Sequence, residues 1–294
     1  MKLGLQITDY TWPGGPSRLG ATLAEIAQTA EGCGFDSISV GDHVWQVPPW
    51  MGPPEQEMLE CYTTLAFLAA QTSRLTVMAM VTAVPFRYPG ILAKTVTTLD
   101  VLSGGRAWLG IGAGHYADEA HGLGILFPPL KQRFEMLEET VQICLRMWSG
   151  ERGDERPYRG RHYQLERPLN VPQSLSRPHP PILIAGEGEQ QTLRLVARYA
   201  DACNLRPSPE IPRKLDVLRA HCTAEGRDYD TIEKTCAFRF DVGEDGSKVD
   251  ELIGQLRWLA GMGIRTVFGA VPHAHQITPL DVIGREVIPA VAEI

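Results

Sequence analysis

The sequence has no apolar run of about 18 residues or more, and no charged leader ahead of a short apolar stretch. Neither a membrane-spanning helix nor a secretory signal is therefore expected, and the chain is read as cytoplasmic. It also lacks a basic stripe. Its 28 Lys and Arg against 35 Asp and Glu give a formal net charge of −7, which argues against a nucleic-acid partner. The six cysteines at 33, 61, 144, 203, 222 and 236 form no Cys-x-x-Cys pair. A disulfide framework is not expected at this size, and these cysteines read as small hydrophobes of a reduced compartment. There is no GxxxxGK[ST], GxSxG or HExxH, so P-loop, nucleophile-elbow and zincin chemistries drop out. Asp118, Glu119 and His121 stand close together, but no matching ligand set appears elsewhere, and no metal site is expected. Low-complexity tracts and linkers are absent too, so residues 1–294 are read as one domain.

What is present is a soluble-protein composition, 44% apolar and 21% charged over 294 residues, long enough to bury a large core. Strand-like runs alternate with helix-like runs throughout. The pattern predicts strands at Lys2–Thr8, Ser37–Gly41, Leu75–Thr82, Ala107–Gly112, Pro181–Ala185, Asp201–Leu205, Thr235–Val242 and Thr266–Val271. Helices are expected near Leu19–Cys33, Tyr62–Thr72, Ile91–Leu102, Arg133–Trp148, Glu189–Tyr199, Pro209–Glu225, Lys248–Met262 and Pro279–Ala292. Eight such units in order close naturally into an α/β fold of the TIM-like (β/α)8 barrel type, with loop insertions. In the helix from Arg133, the residues Phe134, Leu137, Val141, Cys144 and Trp148 form one stripe at helical spacing, read as core.

Two segments break the rhythm. Trp45 to Glu57 carries prolines at 48, 49, 53 and 54 with Trp50 and Met51, and follows a strand end where barrel active sites lie. Ser149 to Pro180 carries five prolines and two tyrosines, and reads either as a lid or as a decoration of the rim.

Chemistry-bearing residues gather at the predicted strand ends. The cluster Gly110-Ile111-Gly112-Ala113-Gly114 and the turn Ala185-Gly186-Glu187-Gly188, with Thr192 beyond it, would let a phosphate or a flat cofactor ring approach bare backbone N–H groups. A relaxed GxGxxA match starts at Gly112, but a turn-rich stretch follows it instead of an immediate helix, so a dinucleotide-binding Rossmann unit is rejected. Asp42 and His43 close the second strand and suit acid–base work. His115 and Glu119 follow the glycine cluster as further candidates. Arg87 is read as pairing with a neighbouring helix. Trp12, Trp45 and Arg206, with His273 and His275, are rim candidates for a substrate pocket.

Taken in order, these segments resemble the luciferase-like monooxygenase superfamily, and especially its flavin- or deazaflavin-dependent oxidoreductases. The likeness rests on Gly34-Phe35-Asp36-Ser37 leading to Asp42-His43, on Gln71-Thr72-Ser73-Arg74-Leu75, and on Ser103-Gly104-Gly105-Arg106 with the glycine cluster. It continues through Phe127-Pro128-Pro129-Leu130 and Gly186-Glu187-Gly188 to Arg198-Tyr199-Ala200-Asp201. The resemblance implies a cofactor ring at the strand C-termini, phosphate at Gly112–Gly114 and Gly186–Gly188, and a non-proline cis peptide near Met80-Val81 behind the ring. It implies coenzyme F420, with FMN the alternative, and hydride transfer to or from a small organic substrate. A reduced-flavin monooxygenase and a non-catalytic cofactor-binding barrel remain open beside it. His43 stands where F420 dehydrogenases often carry a histidine, while His115 stands where some carry a glutamate. Many relatives are homodimers, and a homodimer is expected here.

Overall fold

The computed structural model describes every residue except Trp50 and Glu244. Eight parallel strands close a barrel in chain order: β1 (Lys2–Ile7), β2 (Ser37–Val40), β3 (Thr76–Ala79), β5 (Ala107–Gly112), β8 (Ile182–Ala185), β9 (Ala202–Leu205), β10 (Glu233–Arg239) and β11 (Thr266–Ala270). Pairing of β11 with β1 and of β3 with β5 completes the circle. β4 (Thr82–Ala83) is a two-residue continuation of the third strand, beyond a cis peptide bond at Met80-Val81, the position the resemblance implied. The fold is the expected (β/α)8 barrel.

Helices α1 (Pro16–Cys33), α2 (Cys61–Gln71), α3 (Pro89–Ser103), α5 (Leu130–Met147), α6 (Thr192–Tyr199), α7 (Ile211–Glu225) and α8 (Val249–Gly261) cover the barrel. Their apolar faces pack on the outward residues of the strands in one large core. Proline opens α1, α3 and α7, where its missing N–H is harmless, and glycines in left-handed conformation close the same three helices.

Two features depart from the sequence reading. The stretch after the glycine cluster, expected as turn, contains a short helix α4 (Ala117–Gly122). The segment from Ser149 to Pro180 holds a small hairpin of β6 (Tyr158–Arg159) with β7 (Gln164–Leu165). It joins α5 to β8, so it starts and ends at the barrel face opposite the strand C-termini. Asp100 pins it by accepting from Leu175 N, Ser176 N and Ser176 Oγ, and it carries none of the site residues described below.

The strand register identifies which side chains point inward. Met78, Leu183, Ala202 and Phe268 fill the barrel interior as a separate small core. Directly paired residues of a sheet share a face, and faces alternate along a strand. Gly4 and Ala237 pair with Phe268, while Gln6 and Arg239 pair with Ala270 one inward position further on. Ala185 pairs likewise with Asn204. The inward positions at the C-terminal rim are therefore Gln6, Gly112, Ala185, Asn204, Arg239 and Ala270.

The turn between α2 and β3 is held from two sides. The Arg106 guanidinium donates to the carbonyls of Ala69, Thr72 and Leu75. The Glu31 carboxylate accepts from the N–H groups of Ser73, Arg74 and Leu75. Two stretches that carried the resemblance, Gln71–Leu75 and Ser103–Arg106, thus do structural work. Burial would raise the Glu31 pKa, but these backbone hydrogen bonds outweigh it and hold the carboxyl at about 2 against an ordinary 4.5. The pKa is lowered on folding, so the stabilisation is complete above about pH 4.5 and is lost as pH falls toward 2. Glu31→Gln is expected to cost about 1–2 kcal/mol in urea unfolding at pH 7, and clearly less at pH 3. A cost independent of pH would contradict this account.

Candidate functional site

Because the strands are parallel, all eight C-terminal ends meet at one rim, and the loops that follow them carry the site. At its centre is a carboxylate that the sequence placed only second in rank. Glu119 lies on α4 and is fully buried. Its Oε2 stands 2.6 Å from His43 Nδ1, and its Oε1 accepts from the N–H groups of Val44 (2.5 Å) and Trp45 (3.0 Å). A carboxylate already taking two N–H donors is suited to accept a third, so His43 carries its proton on Nδ1. That leaves Nε2 as the ring nitrogen not engaged by Glu119. His43 is partly exposed, with 14% of its side chain accessible. The His115 ring meets it edge-on at 5.4 Å. Desolvation, followed by the neighbouring His43, pulls the His115 pKa below its ordinary value, so His115 is neutral at pH 7.

Asp42, expected beside His43 as an acid–base group, points elsewhere. Both of its oxygens are taken by Arg87, at 3.1 Å to Nε and 2.5 Å to Nη2. Burial pushes the Asp42 carboxyl above the ordinary range, and Arg87 pulls it part of the way back. The same Arg87 Nη2 reaches Glu60 Oε1 at 2.5 Å. Glu60 caps α2 by accepting from Tyr62 N and Thr63 N. Arg87 therefore pairs toward a helix as expected, and Asp42, buried with both oxygens engaged by Arg87, braces the rim. Trp45 has a packing role beside the substrate role expected of it. Its indole packs on Gly122 so closely that a Cβ there would collide with the ring.

The two glycine turns stand side by side. β5 pairs with β8 through Ile111 and Ile184, and a Cβ on Gly112 would lie 3.6 Å from Ala185 O. Gly114 takes φ +78° and Gly186 φ +127°, conformations that L side chains rarely adopt. The reason for glycine at 110 and 112 is corrected, however. A Cβ on Gly110 would collide with Ala79 O, and one on Gly112 would lie 3.2 Å from Val81 Cγ2. The neighbouring strand demands glycine at 110 and leaves little room for a side chain at 112. The result is a floor of small residues beside Met80 and Val81.

Beyond the second turn, Thr192 opens α6 with its hydroxyl tucked under Gly188. Gln191 gives that helix no side-chain cap, and Leu193 N already donates to Gly188 O, so its first turn is only partly open to a ligand. The Glu187 carboxylate is not open to a ligand, because Arg206 holds it through its backbone N, Nε and Nη2 at 2.9, 2.9 and 2.7 Å. That pair also occupies Arg206, which the sequence placed against the substrate.

Across the mouth, the arc of β10, β11 and β1 borders two cavities. One of about 380 Å³ is lined by Gln6, Asp9, Trp12, Gln46, Met51, Arg239 and His273, among others. The other, of about 500 Å³, also reaches Arg239 and His273. Trp12 is buried in the wall, tilted on Tyr10 and stacked with His275 at 6.2 Å. Gln46 orders the loop over this cavity by donating to Glu57 O and accepting from Gly52 N, which gives the Trp45–Glu57 segment its role as a wall; Trp50 lies outside the described residues. Arg239 escaped the sequence reading because β10 was taken to run on to Val242. Ending the strand at Arg239, with Thr235 and Ala237 inward, would have found it. Among the described residues no group of His, Cys, Asp and Glu forms a metal site, and no helix is long and apolar enough to cross a membrane.

A family model described as luciferase-like monooxygenase matches residues 5–284. An F420-dependent glucose-6-phosphate dehydrogenase of Kineococcus radiotolerans is 29% identical over 235 residues, 78% of this chain and 66% of that protein, so the chain spans just under two thirds of its length. An F420-dependent secondary alcohol dehydrogenase in complex with an F420-acetone adduct superposes with TM-score 0.82 at 18% identity, covering 99% and 98% of the two chains. The monooxygenase RslO1 from Streptomyces bottropensis superposes with TM-score 0.79 at 19% identity, covering 98% and 99%. At these identities the two structures establish the fold.

The Glu119 arrangement makes a direct prediction. Glu119→Gln keeps an oxygen for the two N–H donors but presents an amide to His43, which moves the ring proton to Nε2. Nitrogen NMR of the imidazole is expected to report the Nδ1–H tautomer in the parent and a majority of Nε2–H in the variant. An unchanged tautomer would remove Glu119 from its orienting role.

Proposed function

The chain belongs to the luciferase-like monooxygenase family, and from that premise we propose that it is an F420-dependent oxidoreductase acting on a small organic alcohol or the corresponding carbonyl. The observation that carries this reading is the placing of both glycine turns on one rim, side by side, on the same face as the His43–Glu119 pair. The residues fit such a cofactor. Met80, Val81, Gly112, Ala113, Gly114 and Ala185 offer a flat floor with small side chains. Gly186 shapes the turn, its own N–H being held by Asn204 O, while Glu187 through its backbone, Gly188 and Thr192 offer N–H and hydroxyl donors to phosphate at the start of α6. The F420-dependent relative supports F420 over FMN.

When bound, F420 supplies the site that accepts or gives a hydride, and the protein supplies orientation and the proton. His43 Nε2, with Nδ1–H anchored on Glu119, takes the hydroxyl proton of an alcohol, or returns it to a carbonyl oxygen. Charge arising on the imidazole is met by the Glu119 carboxylate at 2.6 Å. His115, neutral at pH 7, adds no opposing charge there. Trp12 and the Gln46-ordered loop wall the substrate side and limit water.

Titration with F420 and with FMN, followed by fluorescence quenching, tests the cofactor. Tight F420 binding with weak FMN binding is expected, and FMN binding alone would favour the monooxygenase alternative. His43→Ala is expected to lower kcat by about 10²–10⁴-fold while leaving F420 affinity within a few-fold. Unchanged turnover would remove His43 from the mechanism.

The same reading includes a homodimer. Helix α2 carries no Lys, Arg, Asp or Glu, and its neighbour α3 exposes Ile91 at 68% and Leu102 at 74%. Exposed apolar side chains on two adjoining helices, with Lys94 the one cation of that α3 face and bonded to Val171 O, favour burial against a second copy. Analytical ultracentrifugation is expected to give a dimer for the parent, and a monomer for the Ile91→Glu, Leu102→Glu double variant. A monomeric parent would end this part of the proposal.

A further inference from the structure

Three arginines stand at the strand ends of the mouth, and two of them are spent. Arg87 is held by Asp42 and Glu60, and Arg206 by Glu187. Arg239, the last residue of β10, makes no hydrogen bond or ion pair with any described residue, yet it is the one charged side chain among the inward positions of the rim. The nearby Asp241 acts on it only at a distance, because the Asp241 carboxylate is held by Lys248 at 2.8 Å and by Gly243 N at 3.0 Å. Arg239 borders both cavities on the β10–β11–β1 arc, across the mouth from the glycine turns.

A guanidinium turned into a pocket without a partner is a recognition group for an oxyanion, since its planar fork binds two oxygens at once. We propose that Arg239 anchors a carboxylate or phosphate monoester carried by the substrate, at the end remote from the carbon that exchanges hydride. The inference rests on the hydride-transfer reading above for the word substrate, and on geometry alone for the oxyanion. The spacing fits a small molecule. β10 and β2 are three strands apart, and at ~4.8 Å per strand their ends lie about 10–14 Å apart along the rim. The inward reach of Arg239 and His43 leaves a gap that a short polyhydroxy or hydroxy-acid chain spans. The wall between them is polar, with Gln6, Asp9 and Gln46. Such a wall suits hydroxyl groups between the anion and the reacting carbon.

The test is calorimetric titration of the parent, Arg239→Met and Arg239→Lys, each with and without F420. The probes are glucose 6-phosphate, gluconate and uncharged glucose. At least one anionic probe is expected to bind more tightly than glucose. Arg239→Met is expected to weaken that probe about 10–100-fold, with Arg239→Lys intermediate and F420 affinity unchanged. The probe that responds names the oxyanion as phosphate or carboxylate. No preference for either anion over glucose, or no effect of Arg239→Met, overturns the proposal. Loss of F420 affinity in Arg239→Met also overturns it, assigning the charge to the cofactor. If F420 fails to bind the parent, the hydride-transfer reading falls, and the titrations without F420 still judge the anion site. Arg239 is exposed and unbonded, so both variants are expected to melt with the parent, which a thermal scan verifies.

Discussion

The buried carboxylate of Glu119 is the contact on which the site depends. One oxygen gathers the backbone after β2 and the other fixes the tautomer of His43. A charge this deeply buried is tolerable because three donors share it; with one of them missing, the rest would bear an unpaired buried ion. The constraint also runs the other way. Glu119 reaches that position only because α4 forms directly after the first glycine turn, and Trp45 locks α4 in place by packing on Gly122. Orientation of the His43 ring and packing of the loops are therefore one structure.

The mouth is divided by chemistry. On the β5–β8 arc, close contact of Gly110 with the Ala79 backbone and of Gly112 with the Val81 side chain leaves a surface with little side chain, bordered by a helix N-terminus. On the β10–β11–β1 arc, the walls are polar and the Arg239 guanidinium makes no hydrogen bond or ion pair with a described residue. A flat, phosphate-bearing molecule suits the first arc and a small hydroxylated one the second, with His43 at the edge of both. The ion pairs Arg87–Asp42 and Arg206–Glu187 consolidate the rim between them, each using charges that sequence position alone would assign to chemistry.

The sequence reading and the structure part company where a residue's partner is far away in the chain. Asp42 adjoins His43 in sequence, but Arg87, 45 residues on, claims its carboxylate. Arg206 sits on the rim as expected, but Glu187, 19 residues back, takes its guanidinium. Glu119 gained its rank over Asp42 only when a six-residue helix, too short to leave a periodic signal, turned it toward a histidine 76 residues away.

Local pattern determined a good deal unaided. Alternating strand and helix periods, with Pro and Gly at helix ends, specify eight βα units, and eight parallel units have one common closure. Closure in turn places Asp42, His43, both glycine turns and Arg239 at the same rim, because parallel strands all end there. Only tertiary structure decided which of those groups are free to act. Charge pairing and packing are settled by distances between remote segments, which no local period encodes. Three donors bring His43 and Glu119 together, Arg87 withdraws Asp42, and the lack of an ion-pair contact with any described residue leaves Arg239 open.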